Sequence, residues 1–222
     1  MNDPLQTIQQ AEELMERALW QALEDEDHVV ELESYGEAQK LLQSLSDLPA
    51  DMQREHDRGV AYCFMRINDV QVRLEQESDG DLLSESIRLA ERSGDTVQFA
   101  RSSLSMGIHL LNSGQLPEAE SHLRRVFDLA EGMEENRDME QVVGWTLIVR
   151  ANILLGKSLY RQAKHVAEDA IGMLRSIENY AGLRVAYRLL ASAQRSSGQD
   201  EKAQESLKMT DRYEEMAKKR HQ

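Results

Sequence analysis

The stretch Met106-Gly-Ile-His-Leu110-Leu-Asn-Ser-Gly114-Gln-Leu-Pro-Glu-Ala119-Glu-Ser-His-Leu123-Arg-Arg-Val126 reads as two helices joined by a turn. Upstream of the turn, from about Gln98 to Asn112, Phe99, Leu104, Met106, Ile108, Leu110 and Leu111 keep helical spacing. Ser113-Gly114-Gln115 interrupts them, and Gly114 stands where a left-handed turn residue is wanted. A second helix, from about Leu116 to Gly132, carries Ala119, Leu123, Val126, Leu129 and Ala130 on one stripe. Pro117 is tolerated in its first turn, where the missing N–H would have had no partner.

The same grammar returns twice downstream. Val142 to Leu155 is followed by Gly156-Lys157-Ser158 and a helix from about Leu159 to Arg175. Ala181 to Gln194 is followed by Ser196-Ser197-Gly198-Gln199 and a helix from Glu201 to about Met216. Upstream the pattern degrades. Ile67, Val70 and Leu74, then Leu83, Ile87 and Ala90, flank a turn expected at Ser78-Asp79-Gly80. Gly36 to Leu42 reads as part of a second helix, after a long first helix from about Leu5 to Leu23. The anchors Ala38, Leu83, Ala119, Ala163 and Ala203 lie 45, 36, 44 and 40 residues apart. The expected organisation is one repeat domain over 1–222, with degenerate pairs at 1–50 and 51–95 and clearer units at 96–133, 140–177 and 180–219.

The quoted stretch resembles a tetratricopeptide repeat (TPR), in which a small residue sits midway along the first helix, here Gly107. A glycine marks the turn, here Gly114, and an alanine opens the packing face of the second helix, here Ala119. Ala151 and Ala163 match two of these places in the next unit, with Ser158 replacing the turn glycine; Ala191, Gly198 and Ala203 match all three in the last. The spacing exceeds the usual repeat of about 34 residues and is similar to divergent repeats of bacterial adaptors and regulators. The resemblance implies an all-α fold, a right-handed superhelical solenoid of about five antiparallel helix pairs with a concave inner face.

Composition agrees and excludes several functions. Only 3 prolines and 12 glycines punctuate 222 residues, and aromatics are 5%, too little turn and strand material for a sandwich or barrel. The net charge of −14 is concentrated: residues 1–96 hold 23 acidic against 8 basic residues, and residues 97–222 hold 17 against 18. Nucleic acid is a poor partner for such a chain, because it needs a basic face. The acidic half suits either a basic partner or a plain solubility role. Cys63, alone, reads as a small buried hydrophobe in an acidic neighbourhood that includes Asp57 and Asp69. The N-terminus has no basic region followed by an apolar run, and no stretch nears about 18 apolar residues, so the expected location is cytoplasmic, without membrane insertion. The pairs Glu118/His122 and His165/Asp169 each offer two ligands where zinc needs at least three, so neither metal nor cofactor is expected. Phosphate loops, dinucleotide fingerprints and nucleophile elbows are absent from the sequence, and no enzymatic activity is expected.

In the family, ligands are met by the inner face of each pair's first helix. Carried to matching places, the resemblance implies Arg101, Ser105, Ile108 and Asn112, then Trp145, Ile148, Val149 and Asn152, then Arg188, Ser192 and Arg195. Asn152 matches the asparagine that clamps a peptide backbone, and Arg188 a cation that holds a carboxylate. Ile108 and Ser192 interrupt the full carboxylate clamp. The expected function is protein or peptide binding through that groove. The alternatives are a self-assembling structural protein, hence a homo-oligomer, or a peptide-sensing regulator.

Overall fold

The computed structural model describes residues 3–24 and 27–219. Among them are ten helices: α1 (Pro4–Glu24), α2 (His28–Gln43), α3 (Ala50–Arg73), α4 (Gly80–Ser93), α5 (Thr96–Asn112), α6 (Leu116–Ala130), α7 (Arg137–Gly156), α8 (Tyr160–Ser176), α9 (Tyr180–Ser196) and α10 (Asp200–Lys219). They follow one another as five pairs. The anchors named from the sequence all lie in the interior: Ala38, Leu83, Ala119 and Ala203 are fully buried, and Ala163 nearly so.

Helix starts are set by short acids and amides. Asp27, Asp79, Asp95, Asn136 and Asn179 each accept hydrogen bonds from backbone N–H groups of the following first turn, which would otherwise lack a partner. Asn136 therefore starts α7 at Arg137, a turn and a half before the apolar run that marked it in the sequence.

Helix ends repeat one device. Gly114, Ser158 and Gly198 have φ of 76°, 58° and 73°. The residue after each donates its N–H to a carbonyl five residues back: Gln115 to Leu110 at 2.8 Å, Leu159 to Leu154 at 2.9 Å, Gln199 to Gln194 at 2.9 Å. This is the Schellman closure, and it needs a left-handed residue. In the degenerate first half Glu75 (φ 58°) takes that place, with Gln76 donating to Gln71 at 2.9 Å. The expected turn at Ser78-Asp79-Gly80 is thus shifted: Gly80 opens α4 and Glu75 makes the turn.

The chain divides into two compact units, Met1–His122 and Leu123–Gln222, with the division inside α6. In the second unit Ile148, Ala151, Ala170, Leu174, Leu183, Ala186 and Leu190 form one apolar core, and Tyr213 stacks on Tyr187 with ring centroids 5.6 Å apart. Gly144 of α7 permits the closest approach in this unit, since a Cβ there would lie 2.6 Å from Leu174 Cδ2. The first unit mixes apolar packing with buried charge.

Candidate protein-binding face

In the first unit the inner residues of α5 are largely used up by packing. Ser105 is buried and donates to Asp69 Oδ1 at 3.0 Å, so it serves the joint between α5 and α3, not a free surface. Arg101 and Ile108 are half-buried, and only Asn112 is exposed.

Beneath lies a charged network that the sequence reading missed. Glu31 of α2 is fully buried and accepts from Arg66 Nη2 at 2.7 Å and from both Nη atoms of Arg73, at 3.1 and 3.3 Å. Arg66 also donates to the Tyr35 hydroxyl at 3.2 Å and lies over its ring. Asp69 sits half-buried in the field of Arg66 and Arg73, yet burial outweighs them, the Ser105 hydrogen bond and Asn68, and pushes its carboxyl up. A second buried acid, Asp57, accepts from both Arg92 donors and from Gln53 at 2.8 Å, with His56 Nδ1 3.1 Å away. Burial pushes this carboxyl up too, but the hydrogen bonds from Arg92, His56 and Gln53 outweigh it and hold it below the usual carboxylate range. Read along the chain, these charges resemble solvated helix faces, because their partners lie 35 and 42 residues away on other helices.

In the second unit the inner residues separate into two groups. Ile148 is 5% exposed and belongs to the apolar core, so its expected place in a groove is corrected: one residue before Val149, it turns inward. Trp145 and Val149 are half-buried, with Trp145 packed on that core, and Asn152 completes their stripe, fully at the surface. On α9, Arg188, Ser192 and Arg195 are all exposed. Ser192 Oγ donates back to the Arg188 carbonyl at 3.0 Å, which caps its capacity as a ligand donor. Helices α7 and α9 touch within this unit. Exposed amide and guanidinium groups beside half-buried apolar surface can hold an extended backbone and a carboxylate.

No group of three or more His, Cys, Asp or Glu side chains that could hold a metal occurs among the described residues. Nor is any described helix long and apolar enough to cross a membrane. Cys63 is fully buried and its thiol is pushed up to about 12 by burial, which makes it a poor nucleophile.

Helix pairs joined through left-handed residues at Glu75, Gly114, Ser158 and Gly198, with the buried small anchors Ala119, Ala163 and Ala203 near the start of α6, α8 and α10, define a TPR-like helical-repeat fold. Solved structures carry the same fold. The chain is similar to aspartyl phosphate phosphatase F from Bacillus subtilis (17% identity, TM-score 0.68), covering 96% of this chain and 53% of that one. It is similar also to the Rap conjugation gene regulator of plasmid pLS20, solved in complex with the Phr* peptide (16%, 0.65), over 93% of this chain and 53% of that one. The chain spans about half the length of both. Kinesin light chain TPR-like repeats from Podosopora anserina match over 96% of this chain and 97% of theirs (14%, 0.54). At these identities the likeness establishes the fold. No family model matches the sequence, and no curated protein matches it.

Proposed function

We propose that the chain is a protein- or peptide-binding TPR scaffold, a non-enzymatic adaptor of the cytoplasm, and that its second unit docks a partner segment on the exposed sides of α7 and α9. The observation that carries this reading is the state of Asn152, Arg188 and Arg195. All three are exposed, and none makes a side-chain hydrogen bond or ion pair among the described residues. Asn152 shares one stripe of α7 with the half-buried Trp145 and Val149. The pLS20 regulator, which shares the fold, was solved holding a peptide. The acidic first unit, with 25 acidic against 9 basic residues, is the surface we assign to a basic partner.

The test is selection from a displayed library of extended peptides, followed by affinity measurement on variants. Asn152→Ala with Arg188→Ala should change stability by no more than about 0.5 kcal/mol each, as exposed positions do. Binding of selected peptides should weaken by about 1–3 kcal/mol for each lost contact. Ala151→Leu, at a fully buried position, should instead cost about 1–3 kcal/mol of stability by overpacking. A double mutant that melts like Ala151→Leu yet still binds would show that the inner and outer faces are reversed.

A further inference from the structure

The charges of α9 say what kind of segment its exposed side accepts. The helix Tyr180–Ser196 contains three ionisable cations, Arg184, Arg188 and Arg195, and neither Asp nor Glu. At about 100° per residue, the three positions fall within a stripe roughly 40° wide. Arg188 and Arg195 are exposed and Arg184 is half-buried. No guanidinium of the three makes a hydrogen bond or ion pair among the described residues. By contrast Arg58 pairs with Glu55, Arg88 with Glu85 and Arg92 with Asp57. The acids of α7, Asp138 and Glu140, lie in its first turn, away from Asn152 near its end.

We infer that α9 is an anion-accepting track whose occupant is an extended acidic peptide, with carboxylates on alternate residues facing Arg184, Arg188 and Arg195. This rests on the docking reading above and narrows it. Along the helix axis the arginines stand about 6 Å and then about 10 Å apart, at about 1.5 Å per residue. Alternate residues of an extended peptide repeat at about 6.6–6.8 Å. Five or six residues therefore cover the track, and the long arginine stems absorb the mismatch at its far end. Arginine forks hold carboxylates in planar two-bond geometry, which rewards an acid over its amide. A nucleic acid fits less well, because three cations on a chain of net charge −14 neutralise few phosphates against a repulsive background.

The probe is a fluorescein-labelled peptide with Glu at every second position and Ala or Leu between, compared with its Gln and Lys counterparts by anisotropy on the full chain. The Glu peptide should bind at least tenfold more tightly than the Gln peptide and should weaken severalfold between low and moderate salt. Arg188→Glu with Arg195→Glu should abolish at least nine-tenths of that affinity without lowering the melting temperature. Lys202→Glu with Lys208→Glu, exposed on α10, should change it less than twofold. Equal binding of the Glu and Gln peptides, both lost with Asn152→Ala, would overturn the acidic preference while leaving the docking reading standing. Failure of all three peptides, together with an empty library selection, would sink the docking reading itself. Oligo-dT binding as tightly as the Glu peptide would overturn the inference in favour of nucleic acid. Self-association abolished by the arginine variants, with no peptide bound by the monomer, would reassign the track to a second copy.

Discussion

Asp57 and Asp69 lie on the same helix, α3, and burial pushes both carboxyls up, but their partners leave them shifted in opposite directions. The Asp57 carboxyl is held low by Arg92, His56 and Gln53 against its burial. A depressed carboxyl contributes stability above its unfolded value of about 3.9 and loses it as pH falls through the folded value. Asp57→Asn should therefore lower the melting temperature at pH 7, by about 1–3 kcal/mol of lost charged hydrogen bonding. The gap from the parent should close as pH drops below about 4. The Asp69 carboxyl is raised, with burial dominating Arg66, Ser105 and Arg73. A raised carboxyl contributes most below its unfolded value and costs stability as pH rises through the folded value. Asp69→Asn keeps an acceptor for Ser105 and should raise the melting temperature at pH 7. Thermal melts of both variants at pH 4 and pH 7 check the pair; shifts of the same sign at pH 7 would refute the assignment.

At the scale of elements, the turns separate what a sequence shows from what it conceals. Glycine at 114 and 198 announces a left-handed residue, and the structure has one there. Ser158 occupies the same conformation without the announcement, and the sequence disclosed it only through its register with the other two. Glu75 and Glu178, also at positive φ, gave no signal at all, because the closing hydrogen bonds override the residue's own preference. Ser158→Gly should stabilise the chain by about 0.5–1 kcal/mol, since left-handed backbone costs a side-chain-bearing residue about 1–2 kcal/mol and glycine returns part of the gain to the unfolded state. Denaturant titration with unchanged slope reads this directly. Helix pairing, small anchors and two of three turn types were legible because they depend on spacing a few residues long. The Glu31–Arg66–Arg73 network was not, because its partners are fixed only once α2 and α3 pack together. On the candidate face Asn152, Arg188, Ser192 and Arg195 are exposed, whereas Ile148 and Ser105 are buried, because one helical step decides between core and surface.

For the whole molecule, charge is the property that varies most from one unit to the other. The first unit carries 25 acidic and 9 basic residues, and the second 15 and 17. Exposed charges are screened within about 8–10 Å at ordinary ionic strength. If a basic protein surface is recognised by the first unit, its apparent affinity should fall by at least tenfold between low salt and about 0.3 M salt, measured by titration calorimetry with a basic test protein. An affinity indifferent to salt would instead point to apolar recognition.

The single thiol offers a consequence of a different kind. Cys63 is the only cysteine in the chain, lies at 0% exposure on α3, and has Met15 Sδ 3.5 Å from its sulfur. A maleimide or disulfide reagent can reach it only when that part of the first unit opens, and the opened thiol then titrates near its ordinary value of about 8.5. The wild-type chain thus carries a built-in clock for breathing of the first unit around α3. At pH 8 its labelling should run at least a hundredfold slower than that of a peptide spanning the same residues, and Asp57→Asn, less than two turns away on the same helix, should speed it up.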